Sequence, residues 1–287
     1  MKHIKIVSLV MLIILGAVGY KLLESTVFDN TDYNSDSIYV YNLSENKIEV
    51  AINENKRRKP ASLAKLMTAW IGLNYCESLD QISPIDESTY ISSIENNASM
   101  AGFVSNETTT VRDLLYGTIL PSGAECANTL AMNTFGSREN FVEMMNQEAS
   151  NLGMTNTHFE NPDGMDDPNQ YTTAKDIAIL LSNCIQDENY YVVLTRPNYL
   201  SSPTLDHPEG LWMDSTVSSK LMNYQMDSGS ILGGKSGTTE EAGLCWATLA
   251  EKDNQYYIIV VMGAPVGDIA NPNEGQVADT IKILNEL

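Results

Sequence analysis

Pro60-Ala61-Ser62-Leu63-Ala64-Lys65-Leu66-Met67-Thr68 sets a serine and a lysine three residues apart. The stretch opens a segment from Ala61 to Tyr75 in which Leu63, Leu66, Met67, Trp70, Ile71 and Leu73 form a broad apolar face. That pattern predicts a buried, central helix with Ser62 and Lys65 on one side of its first turn. Alone, Ser62 reads as an ordinary helix N-cap, because serine is favoured there. Two further peptides change that reading. Leu120-Pro121-Ser122-Gly123 supplies a second serine after a helix-stopping proline, and Gly234-Lys235-Ser236-Gly237-Thr238 ends an apolar strand. In this order they describe one cleft: a serine beside a lysine, a second serine facing them, and a cationic strand along the edge.

A lysine next to a serine hydroxyl can take its proton only when the amine is neutral. At an unperturbed pKa near ~10.4 it is not, so burial and neighbouring cations must lower it, with Lys235 the candidate cation. The Ser62 amide at the start of a helix and the Thr238 amide are the natural donors to an oxyanion. Gly237 lets a ligand approach the strand backbone. The chain has 3 histidines, with no aspartate placed to complete a Ser-His-Asp triad. No spacing of His, Cys, Asp or Glu suggests a metal, and no motif calls for a cofactor.

Around these peptides the pattern predicts a hairpin (37–41 and 47–52), a helix capped at Thr110, another from Ser122 toward Phe135, and a third from Glu139 to Gly153. A helix capped by Thr172 follows the loop Asn161-Pro162-Asp163-Gly164-Met165. Three strands (231–236, 242–250 and 255–262) and a closing helix (276–285) end the chain. A sheet built from both ends of the sequence, with helices inserted between, is an α+β, three-layer architecture.

The chain has 287 residues, 43% apolar, with 37 acidic against 17 basic side chains and a formal charge of −20. Such a surface repels phosphate backbones, which excludes a nucleic-acid partner. Met1-Lys2-His3-Ile4-Lys5 followed by an uncharged stretch to Tyr20 reads as a signal peptide or an N-terminal membrane anchor over 1–20. Residues 21–36 read as a linker and 37–287 as one catalytic domain, exported from the cytoplasm. Cys76, Cys126, Cys184 and Cys245 lie in apolar stretches and are expected to be free, buried thiols.

These residues resemble the serine-type D-Ala-D-Ala carboxypeptidases, the low-molecular-mass penicillin-binding proteins, from about Ser37 to the C-terminus. Pro60 to Thr68 is similar to the family's nucleophile helix. His158-Phe159-Glu160-Asn161-Pro162-Asp163-Gly164, with Tyr171-Thr172-Thr173-Ala174-Lys175-Asp176, is similar to its Asn-Pro-x-Gly stretch and following helix. The resemblance implies a β-lactamase/DD-peptidase-like sheet flanked by helices, with a helical subdomain. It implies that Ser62 is acylated, Lys65 accepts its proton and Ser122 relays protons. Lys235, Ser236, Gly237 and Thr238 would bind the terminal carboxylate of a peptidoglycan stem peptide, and β-lactams would act as covalent inhibitors.

Three departures bear on substrate choice. Ser122-Gly123-Ala124 lacks the asparagine of the Ser-x-Asn element, so the following Glu125 is a candidate to hold substrate instead. Lys235-Ser236-Gly237 has serine for threonine, and Gly267-Asp268-Ile269-Ala270-Asn271 has no cation where relatives often place an arginine. The family's β-rich second domain and C-terminal anchor have no counterpart after the closing helix, so any anchor is expected at the N-terminus. The expected activity is removal of the terminal D-Ala through an acyl-enzyme. A glycopeptide-resistance carboxypeptidase and a penicillin-binding sensor that barely turns over are the alternatives. A β-lactamase is disfavoured, for want of a Glu-x-x-x-Asn loop between Ser122 and Lys235.

Overall fold

The computed structural model describes residues 32–287. The signal or anchor over 1–20 and most of the linker lie outside the described residues. Tyr33–Leu287 forms one compact unit.

Its backbone is a five-stranded antiparallel sheet. The first hairpin, β1 (Ser37–Asn42) and β2 (Lys47–Ile52), comes from the start of the unit, and β3 (Ser230–Thr239), β4 (Gly243–Lys252) and β5 (Gln255–Ala264) come from its end. The order is β2-β1-β5-β4-β3, so β1 pairs with β5 and the two ends of the chain close one sheet. Asp253 and Asn254 both adopt positive φ between β4 and β5, as a tight hairpin with right-handed strand twist requires.

Ile258 to Met262 is an unbroken apolar run because this central strand is covered on both faces. Ile258, Val260 and Met262 join the main core, with Ile177 and Leu181 of a helix on that side. Ile259 and Val261, of opposite parity, are also fully buried. They lie on the face covered by the closing helix (Gly275–Glu286), which packs on β4 and β5 through Val277, Ile281 and Leu284.

Between the hairpin and β3 lie the helices that shape the cleft: α1 (Ala64–Tyr75), α2 (Glu87–Glu95), α3 (Val111–Ile119), α4 (Ala124–Phe135), α5 (Arg138–Asn151), α6 (Ala174–Cys184), α7 (Glu188–Thr195) and the short α8 (Thr216–Leu221). Leu66, Met67 and Ile71 of α1 are wholly buried, as the apolar face implied. Thr110 caps α3 by accepting from the Asp113 amide. Three expectations need correction. The helix begins at Ala64 rather than Ala61, so Ser62 is the middle of a 3₁₀ turn (Ala61–Leu63) ahead of α1 rather than part of its first turn. Ser122 precedes α4 rather than starting it, with Gly123 at the cap. Thr173, not Thr172, caps α6, because both backbone groups of Thr172 are paired with Arg58. All four cysteines are free; three are buried and Cys76, at the end of α1, is partly exposed.

Candidate active site

Lys65 is 2% exposed, and its amine lies 3.1 Å from Ser62 Oγ and 2.6 Å from the Asp163 carbonyl oxygen. One turn along the same face of α1, the Thr68 hydroxyl donates to the Pro162 carbonyl at 2.6 Å. Two side chains of one helix therefore clamp the Asn161-Pro162-Asp163-Gly164 loop. Within the loop, Asn161 accepts from the Gly164 amide at 2.7 Å and donates to the Met165 carbonyl at 2.9 Å. The Asp163 side chain accepts from Asn128 Nδ2 of α4 at 2.8 Å, tying a third element to the same corner.

Gly164 marks how tightly this corner is packed. It has φ +84°, and a Cβ there would stand 1.9 Å from the Ala61 carbonyl oxygen. Gly164→Ala is accordingly expected to shift the Ser62 turn, costing about 3 kcal/mol of stability and slowing benzylpenicillin acylation by roughly 10²-fold. Thermal melting and stopped acylation reactions read the two effects. An alanine variant that acylates at the parent rate would show that the turn does not depend on this contact.

The strand wall is equally close. A Cβ on Gly237 would lie 3.0 Å from the Ser62 nitrogen, so the bare backbone of β3 passes against the nucleophile turn. Ser62, Lys65, Ser99, Asp163, Gly164 and Thr238 line one open cleft of about 370 Å³. Lys235 points inward instead. It is 0% exposed and donates to the carbonyl of its neighbour Ser236 at 2.9 Å. Ser236 Oγ is 2.8 Å from Thr216 Oγ1. Ser122 is 4% exposed and its hydroxyl has no hydrogen-bond partner among the described residues.

Burial pushes the Lys65 amine below its ordinary range, against the pull of the Asp163 and Glu125 carboxylates. Burial pushes Lys235 well below, and the charge on Lys65 adds to it. Two buried ammonium groups that repel each other favour a neutral amine, the state a proton acceptor requires.

Backbone conformation singles out the same place. Eight non-glycine residues among those described have positive φ, and six are Asn or Asp, which tolerate it. The other two are Ala61 (φ +48°) and Ser122 (φ +68°). The first directly precedes Ser62 in its turn and the second is the other serine of the site, and about 1–3 kcal/mol each of strain is held there by the surrounding packing.

Glu125 does not reach the cleft, contrary to the sequence expectation. It is fully buried, its Oε1 accepts from the Ala101 and Gly102 amides at 2.7 and 2.9 Å, and burial raises its carboxyl pKa. Ala124 is also fully buried, with its amide donating to the Ser99 carbonyl at 2.7 Å. Sequence reasoning assigned no part to Asn128, Asp163 or Thr216; only the loop motif around Asp163 gave a signal. Among the described residues no cluster of metal-ligating side chains is found, and no helix is long and apolar enough to cross a membrane.

The family model for D-alanyl-D-alanine carboxypeptidases matches residues 24–266. The chain is 32% identical to the D-alanyl-D-alanine carboxypeptidase DacA of Haemophilus influenzae over 243 residues, covering 82% of this chain and 56% of that protein. It is 33% identical to DacF of Bacillus subtilis over 217 residues, covering 74% and 53%. It thus spans about half the length of these curated relatives. The crystal structure of the Streptomyces K15 DD-transpeptidase superposes with a TM-score of 0.76 at 25% identity, covering 88% of this chain and 97% of that one. With a match that takes in the Ser62–Lys65 turn, Ser122 and the Lys235 strand alike, the chain belongs to the D-alanyl-D-alanine carboxypeptidase family.

Proposed function

We propose that this protein is a serine D,D-carboxypeptidase that removes the terminal D-Ala of peptidoglycan stem peptides, acting outside the cytoplasm. The observation that carries the reading is the buried Lys65 amine at 3.1 Å from Ser62 Oγ, inside an open cleft. Ser62 Oγ attacks the carbonyl carbon of the penultimate D-Ala while its proton passes to the neutral Lys65 amine. The Asp163 carbonyl holds that amine in place. The C–N bond then breaks, the terminal D-Ala leaves with a proton delivered through Ser122, and water hydrolyses the Ser62 ester. β-Lactams enter the same cleft and stop at the acyl-enzyme.

In this reading the free carboxylate of the substrate lies along Ser236, Gly237 and Thr238. Lys235, wholly buried, lies on the face of β3 that Gly237 turns toward the Ser62 turn, near enough to Lys65 for their charges to oppose each other, and the hydroxyls of Ser236 and Thr238 make the contacts. Residues 37–287 are proposed to carry the whole catalytic unit. The expected result is steady-state release of D-alanine from diacetyl-L-Lys-D-Ala-D-Ala. A single stoichiometric burst with no further release would instead identify a penicillin-binding sensor.

A further inference from the structure

We infer that Thr216 is a positioning residue for the substrate carboxylate: its hydroxyl holds Ser236 with the serine proton directed at the substrate. The inference rests on the proposed reading of Ser236 to Thr238 as the carboxylate subsite.

Thr216 is the first residue of α8, outside the three peptides that mark the site in the sequence. It bridges the segment that leads to Ser122 and the strand that carries Lys235 and Ser236. Its backbone amide donates to the Leu120 carbonyl at 3.0 Å, two residues before Ser122. Its Oγ1 lies 2.8 Å from Ser236 Oγ on β3. β3 is an edge strand, and α8 packs against it, which brings Thr216 to the Ser236 side chain. Thr216 supplies the contact that fixes that side chain.

Proton counting gives the contact a direction. A hydroxyl has one proton to donate, and a carboxylate can only accept. If Ser236 spends its proton on Thr216, it turns only lone pairs toward the substrate. If Thr216 donates, Ser236 keeps its proton for the carboxylate, and the two hydroxyls form a chain polarised toward the anion. Only the second arrangement binds a free C-terminus. The chain matters here because other donors are scarce. Lys235 is buried and donates back to Ser236 O, and residues 265–274 after β5 contain no lysine or arginine. Lys220 of α8 is paired with Glu274 at 3.4 Å.

The test uses the full chain with diacetyl-L-Lys-D-Ala-D-Ala and its C-terminal amide, following kcat and KM separately. Wild type is expected to prefer the carboxylate. Thr216→Val, which keeps shape but loses the hydroxyl, is expected to raise KM for the carboxylate peptide about three- to ten-fold, with kcat within about two-fold and the amide peptide unaffected. Thr216→Ser restores the wild-type split. In a Ser236→Ala background, Thr216→Val adds nothing, because the threonine acts through that serine. Should the valine variant fold poorly, Thr216→Ala is expected to give the same split.

Equal losses on both peptides, or an unchanged carboxylate KM, would overturn the assignment while leaving the carboxylate subsite standing. A wild-type enzyme that cleaves amide and carboxylate alike would remove the subsite itself, and Thr216's part with it.

Discussion

Ser62→Ala is expected to lower D-alanine release by about 10⁴-fold or more and to abolish covalent labelling by benzylpenicillin. The serine sits in a 3₁₀ turn held by other groups: the Leu63 amide bonds back to Pro60, and Gly164 and Gly237 press against the turn from either side. Its hydroxyl contacts Lys65 but caps no helix. Removing it therefore leaves the packing in place, and the melting temperature should move by no more than a few degrees. Loss of activity with an intact fold is the signature of a nucleophile. A variant that keeps a tenth of the parent rate would mean that another group is acylated.

Lys65→Arg is expected to slow acylation by about 10²–10⁴-fold, the usual contribution of a general base. Arginine keeps a positive charge but cannot give up its proton near neutrality. It also brings a planar fork into a corner where the lysine amine meets both Ser62 Oγ and the Asp163 carbonyl. The pH profile separates the chemical loss from the steric one. In the parent enzyme the base works when deprotonated, so acylation rises with pH. Because burial lowers the Lys65 pKa, the midpoint of that limb should fall below the ordinary lysine value of 10.5. In the arginine variant the residual rate should be flat across the same range. A variant with the parent's limb intact would assign the titration to another group and leave Lys65 a purely positioning role.

What the sequence could say depended on how local each signal was. The Ser62–Lys65 spacing and the apolar face of α1 are set within one short stretch of chain, a 3₁₀ turn running into a helix, and both are visible as a pattern of residue types. The central strands were legible for the same reason, since Ile258 to Met262 has the unbroken apolar run of a strand covered on both faces. The two strained turns were not. Alanine at position 61 and serine at position 122 are ordinary residues in a sequence, and their positive φ is imposed by distant packing: Gly164 and Gly237 against the first. Thr172 and Thr173 illustrate the same limit. Either could cap α6, and the choice is made by Arg58, over a hundred residues earlier, which takes up the backbone of Thr172. Glu125 had looked available to substrate because it follows Ser122. Its carboxylate instead turns into the core to meet the Ala101 and Gly102 amides, partners no local pattern announces. Thr216 reaches Ser236, twenty positions further along the chain, and only the fold brings them to 2.8 Å.

The most direct test of the account is peptide mapping by mass spectrometry after brief incubation of the full chain with benzylpenicillin. One penicilloyl group per chain is expected, on the peptide containing Ser62, and its appearance should be blocked by prior reaction with a second β-lactam. An adduct on Ser122, Ser236 or any other residue, or no adduct at all, would contradict the assignment of Ser62 as the acylated serine.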